Sequence, residues 1–198
     1  LSLPEGWLAG GLQWPVPERY VSPGDILDHV YFGELILVQK IGAPAEVQPG
    51  TEALIEADVQ WLACKDMCVP GRQTLTFSIP VSSTAVAAEE PNLVQEALSR
   101  LPVALPAGIL DTGWNGSTFH LDHPDARLLT FMPTEDCGQL VDLLSDGQGH
   151  RLALRFKPKG DTVGPVRGLI IIEENSGQVN AYRLDYPATV LTDASVGG

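Results

Sequence analysis

Thr51-Glu52-Ala53-Leu54-Ile55-Glu56-Ala57-Asp58-Val59-Gln60-Trp61-Leu62-Ala63 decides the fold class. Ile55, Ala57, Val59 and Trp61 share one parity, and Glu56, Asp58 and Gln60 hold the other. A period of two marks a strand with one face on a core and one in water. Residues 74–79 repeat it, with Leu75, Phe77 and Ile79 opposed by Thr74, Thr76 and Ser78. Between the two runs lies Cys64-Lys65-Asp66-Met67-Cys68-Val69-Pro70-Gly71-Arg72. This segment reads as the connection between two paired strands, with Pro70-Gly71 signalling a turn.

Upstream, residues 31–41 read as a buried strand bounded by Gly and Pro. Downstream, Glu89-Glu90-Pro91 opens a short helix over 92–101, with Leu93, Ala97, Leu98 and Leu101 on one face. Acidic residues and Pro at its start, then Arg100 and Pro102 at its end, are the expected boundary signals. A linker, 102–108, follows. Strands are expected again over 126–132, 139–144, 151–156, 166–173 and 178–186. Asp146-Gly147 and Asn175-Ser176-Gly177 supply turns between neighbours. Five strands in so short a span suggest a small immunoglobulin-like sandwich.

Composition bounds the rest. The chain has 198 residues, enough for two small cores. With 20 Gly and 16 Pro and few helical runs, an all-β plan rich in turns is favoured. Twelve Lys and Arg against 25 Asp and Glu leave a charge of −13. With no basic stripe, a phosphate backbone is repelled, so nucleic acid is not an expected partner. The longest apolar run, Leu169-Ile170-Ile171-Ile172, has strand length and falls far short of the ~18 residues of a membrane span. Leu1-Ser2-Leu3-Pro4-Glu5-Gly6 lacks the basic start and apolar stretch of a signal peptide.

Of three cysteines, Cys64 and Cys68 are four residues apart. In an extended strand that spacing would separate them by ~13 Å, whereas a disulfide needs Cα atoms within roughly 4.4–6.8 Å. They can bond only if Lys65, Asp66 and Met67 form a tight turn. So small a loop has little closure entropy to remove, which makes the bond a weak staple. Lys65 favours a thiolate nearby and Asp66 opposes it. Spacing alone leaves open a redox pair, a structural staple and a metal site. Zinc needs four ligands, and only His120 and His123, in His120-Leu121-Asp122-His123, are offered elsewhere; that segment reads as a solvated turn. Copper(I) held by the two thiols is a further alternative.

A wider series of residues then resembles a known family. Pro4-Glu5-Gly6-Trp7, Leu12-Gln13-Trp14-Pro15, Pro17-Glu18-Arg19-Tyr20 and Tyr31-Phe32-Gly33-Glu34 lead into Trp61-Leu62-Ala63-Cys64-Lys65-Asp66-Met67-Cys68-Val69-Pro70-Gly71. Together these are similar to the N-terminal periplasmic region of bacterial thiol:disulfide interchange proteins of the DsbD and ScsB type. The likeness covers residues 3–80 and is weaker over 105–190, where Val166-Arg167-Gly168-Leu169-Ile170 and the Ala181-Tyr182 strand carry it. It implies an immunoglobulin-like redox domain over 1–84; the residue pattern then sets a helix and linker over 85–108 and a second small β-sandwich over 109–198. The likeness further implies that Cys64 and Cys68 are the catalytic pair, with Cys68 joining the partner in a mixed disulfide and Cys64 resolving it. No metal or organic cofactor is implied. The implied partners are the membrane-embedded part of the same reductase and periplasmic thiol or disulfide proteins, the chain being a periplasmic piece of a membrane-anchored protein. Family members carry further strands ahead of the Pro4 segment, so one sheet edge is expected to be incomplete.

Other residues have plainer readings. Trp61 is expected in the core, a placement compatible with flooring the disulfide, and Tyr20, Tyr31 and Phe32 are candidates to shield it. Cys137 reads as a buried or incidental thiol beside Asp136, which disfavours a thiolate; pairing with Cys64 or Cys68 is the alternative. No Ser/His/Asp set, phosphate loop or carboxylate pair supports hydrolysis. A non-enzymatic extracellular binding module with a structural disulfide remains the other class of function.

Overall fold

The computed structural model describes residues 1–65, 67–85, 91–144 and 146–191. The strands in chain order are β1 (Leu8–Gln13), β2 (Glu18–Ser22), β3 (Ile26–Val30), β4 (Val38–Gly42), β5 (Glu52–Cys64) and β6 (Cys68–Pro80). After helix α1 (Pro91–Ser99) come β7 (Val103–Ala104), β8 (Asp111–Asn115), β9 (Thr118–Asp122), β10 (Ala126–Pro133) and β11 (Gly147–Gln148). The series ends with β12 (Arg151–Arg155), β13 (Thr162–Val163), β14 (Val166–Glu174), β15 (Val179–Tyr186) and β16 (Thr189–Val190). The fold is all-β and immunoglobulin-like, with one short helix among the described residues.

Two compact units divide the chain. The first comprises Leu1–Trp14 and Ile36–Ser99, the second Pro15–Leu35 and Arg100–Gly198. Residues 15–35, grouped by sequence with the cysteine-bearing part, thus pack with the second unit. Arg19 explains why: its guanidinium donates to the Leu144 carbonyl at 2.7 Å and pairs with Asp146.

In the first unit, β1 pairs antiparallel with β4, and β5 with β6. The expected strand over 31–41 shrinks to β4, and its upstream residues are exposed or half-buried. The alternation in β5 holds at its root, where Ala53 and Ile55 are buried. It fades toward the tip, where Val59 and Trp61 emerge. β5 and β6 form a two-stranded sheet, braced at the root by a bridge between Ser2 and Glu56. In α1, Pro91 takes the first position as expected, and Ala97 is buried while Leu93 and Leu98 are not. Glu89 and Glu90 lie outside the described residues.

The second unit holds an eight-stranded sheet in the order β7-β15-β14-β10-β11-β12-β9-β8. Alternate residues of β14, Val166, Gly168, Ile170 and Ile172, face a core that includes Phe119, Leu129 and Phe156. Trp114 packs edge-on against Phe119 at 5.0 Å between ring centres. Four of the five expected strands appear as β10, β12, β14 and β15. Residues 139–144 do not form the fifth. Leu140 makes only an isolated bridge to Phe156, and the Asp142 side chain accepts from the Leu144 N–H at 2.9 Å. A local side-chain bond of that kind competes with ladder formation. The His120 segment also departs from expectation. It is strand β9 rather than a turn, hairpinned to β8 through Gly116, with His120 between buried Phe119 and Leu121.

Candidate functional site

The cysteines close the β5–β6 hairpin. Every residue of β5 from Glu52 to Cys64 has a partner in β6 without a register shift, ending in Cys64 opposite Cys68. The Pro70-Gly71 step, taken as a turn signal, is part of β6. The turn itself lies between the cysteines, and the Lys65 N–H donates to the Met67 carbonyl at 3.3 Å across it. Asp66 lies outside the described residues.

Why a strand runs through Pro70 is a matter of ladder parity. In an antiparallel pair, hydrogen-bonded and non-hydrogen-bonded positions alternate, and the second kind brings side chains closest. Pro70 has no N–H, so it fits only where that group would point away from the partner strand. It sits opposite Leu62, two residues from Cys68 opposite Cys64. The cysteines therefore share its parity and occupy a close, non-hydrogen-bonded pair, with Cα atoms 4.0 Å apart and a disulfide between them.

The bond is open to solvent. Cys64, Cys68 and Lys65 are exposed, and an open depression of about 330 Å³ lies beside them, lined by Ala63, Met67 and Val69 as well. Leu62 and Met67 are 63% and 74% exposed, so apolar side chains rim the sulfurs. On the polar face of the hairpin, Arg72 binds Asp58 through Nε to Oδ1 at 2.9 Å and Nη2 to Oδ2 at 2.6 Å. That hydrogen-bonded guanidinium holds the Asp58 carboxyl below the usual carboxylate range.

Trp61 is not a core residue. It is 49% exposed and lies across the hairpin on its partner Gly71. A Cβ built on Gly71 would come within 2.2 Å of the indole Cε2, so the ring occupies the space a side chain there would need. This contact was readable from sequence. Pairing Cys64 with Cys68 fixes every other partner along the hairpin and puts Trp61 opposite glycine.

Residues 1–80 match the family described as thiol:disulfide interchange protein DsbD, N-terminal. Residues 1–80 are a DsbD-like N-terminal region. No curated protein and no solved structure matches the chain. With the Cys64–Cys68 disulfide at its tip, the DsbD-like region is a thiol–disulfide exchange module whose partners are thiol and disulfide groups in general. Among the described residues, no helix is long and apolar enough to cross a membrane.

The remaining candidates lie elsewhere. Tyr20, Tyr31 and Phe32 belong to the second unit, where the Tyr31 hydroxyl donates to the Pro15 carbonyl at 3.0 Å. Cys137 is a free thiol there, half-buried, its Sγ 3.6 Å from the Pro165 carbonyl. Burial pushes its pKa up and neighbouring Asp136 adds to this, while hydrogen bonds from the backbone of Arg167 and Gly138 oppose. It pairs with neither Cys64 nor Cys68. His123 follows β9 and donates its N–H to the His150 carbonyl at 2.8 Å. Among the described residues, no cluster of three His, Cys, Asp or Glu has the makings of a metal site.

Proposed function

We propose that Cys64 and Cys68 relay electrons in the periplasm from the membrane-embedded part of a DsbD-type reductase to protein disulfides. The observation that carries this reading is an exposed disulfide closing the tip of a hairpin within a DsbD-like region. In the loading step a dithiol of the membrane part is oxidised to a disulfide. The Cys64–Cys68 bond takes up its two electrons and two protons and becomes a dithiol. In the unloading step the Cys68 thiolate attacks a partner disulfide, and one partner sulfur leaves as a thiolate and is protonated. Cys64, deprotonated, then displaces the other sulfur, and the Cys64–Cys68 bond re-forms. The partner ends as a dithiol, so electrons and protons balance, and no cofactor enters. The second unit serves as a docking or spacing module.

The test is the reduction potential of the pair in the full chain, equilibrated with glutathione. A value above about −300 mV is expected; one well below that marks a structural disulfide and overturns the reading. Cys64→Ser should also accumulate a mixed disulfide through Cys68.

A further inference from the structure

We infer that Trp61 is a positioning residue for the cysteine pair: seated on Gly71, its indole holds the hairpin end closed in the dithiol state and thereby sets the reduction potential. This rests on the exchange role proposed above.

The geometry narrows what can hold the sulfurs together once their bond is broken. Between Trp61–Gly71 and the cysteines stand two cross-strand pairs, Leu62–Pro70 and Ala63–Val69. By the parity that places Pro70 at a non-hydrogen-bonded position, backbone bonds remain at the Ala63–Val69 pair, but the side chains there clamp little: Leu62 and Val69 are 63% and 55% exposed and Ala63 offers a methyl group. Trp61 is thus the last large side chain lying across both strands before the tip. Its three ring atoms nearest the Cβ position of Gly71 lie 2.2, 2.4 and 2.5 Å from it, a seat that only glycine leaves open. With half its surface in water, the ring is placed to bind one strand to the other rather than to fill a core.

Hairpin ends fray, and fraying separates the thiols. The reaction is Cys64–Cys68 disulfide plus two glutathione thiols giving the dithiol plus glutathione disulfide. Its equilibrium depends on the effective concentration of one thiol at the other. A clamp that limits fraying raises that concentration and favours the disulfide. Loosening the clamp therefore makes the pair easier to reduce and its potential less negative.

The experiment compares full-chain variants by glutathione equilibration and thiol labelling, with far-UV circular dichroism of each oxidised form. Trp61→Ala should lower the equilibrium constant for disulfide formation about fivefold, the scale of one cross-strand aromatic contact. At 29.6 mV per tenfold, that raises the potential by about 20 mV. Trp61→Phe keeps a ring and should shift it less. Gly71→Ala displaces the indole without removing it and should shift the potential the same way. A general stiffening of the strand by replacing glycine would shift it the other way. Leu62→Ala, equally near the tip but off Gly71, should leave it unchanged. Folded Trp61→Ala and Gly71→Ala proteins with the wild-type potential, or an equal shift in Leu62→Ala, overturn the inference. The exchange reading fails on the wild-type value itself, and this one fails on differences from it.

Discussion

Reducing the Cys64–Cys68 bond should leave the first unit folded, because the bond closes so short a loop. With a sequence separation of 4, the chain-entropy relation gives roughly 2 kcal/mol of stabilisation, against about 4.7 for a 100-residue loop. By the same thermodynamic cycle, folding raises the effective concentration of one thiol at the other about 30-fold. The folded pair is then more reducing than the unfolded one by about 45 mV. Urea unfolding of oxidised and reduced protein measures the difference. Trp7, Trp14 and Trp61 belong to the first unit and only Trp114 to the second, so fluorescence reports mainly the first. With a slope of about 1 kcal/mol per M for a unit of this size, the midpoint should fall by about 2 M on reduction. A reduced protein with no first-unit transition at all would refute the reasoning and make the disulfide a staple.

Three further outcomes are expected. Ile55→Ala removes three buried carbons from the root of the hairpin, where Ile55 is fully buried. It should cost about 2–4 kcal/mol in the first unit, read as a lowered urea midpoint at unchanged slope. Cys137, whose thiol burial pushes up, should react with iodoacetamide at pH 8 more slowly in native than in urea-unfolded protein; equal rates would contradict its environment. His29 has its pKa lowered from 6.5, by burial first and then by Arg19, with Asp28 opposing. Its folded form binds fewer protons than the unfolded one, so its contribution to stability is present above pH 6.5 and is lost as pH falls below it toward the lowered value. Histidine proton NMR should find the His29 midpoint below 6.5, and a midpoint above it would reverse the sign.

The β5–β6 hairpin was legible because its two faces differ in chemistry, so parity survives in the letters at Ile55, Asp58 and Phe77. Its true length was not. Pro70-Gly71 carries the composition of a turn, and only the pairing of the cysteines makes Pro70 an edge-tolerant position and Gly71 a seat for Trp61. Parity likewise put Trp61 on the inward face, but it says nothing of how far along a hairpin the covering elements reach. In the second unit the apolar runs of β10 and β14 announced themselves. Residues 139–144 misled because Asp142 and the carbonyls of Leu143 and Leu144 spend their hydrogen bonds locally and on distant Arg19. No window of sequence contains that partner. That Cys64 and Cys68 could bond was legible from their spacing, on condition of a tight turn between them.

The length of the hairpin has one more consequence. Cys64 lies nine residue steps along the strand from buried Ile55, about 30 Å. Fold maintenance and sulfur chemistry are thus assigned to opposite ends of one element. Substitutions at Leu62, Met67 and Val69, all exposed toward the tip, leave the packing of the root untouched, whereas Trp61 and Gly71 are tied to each other.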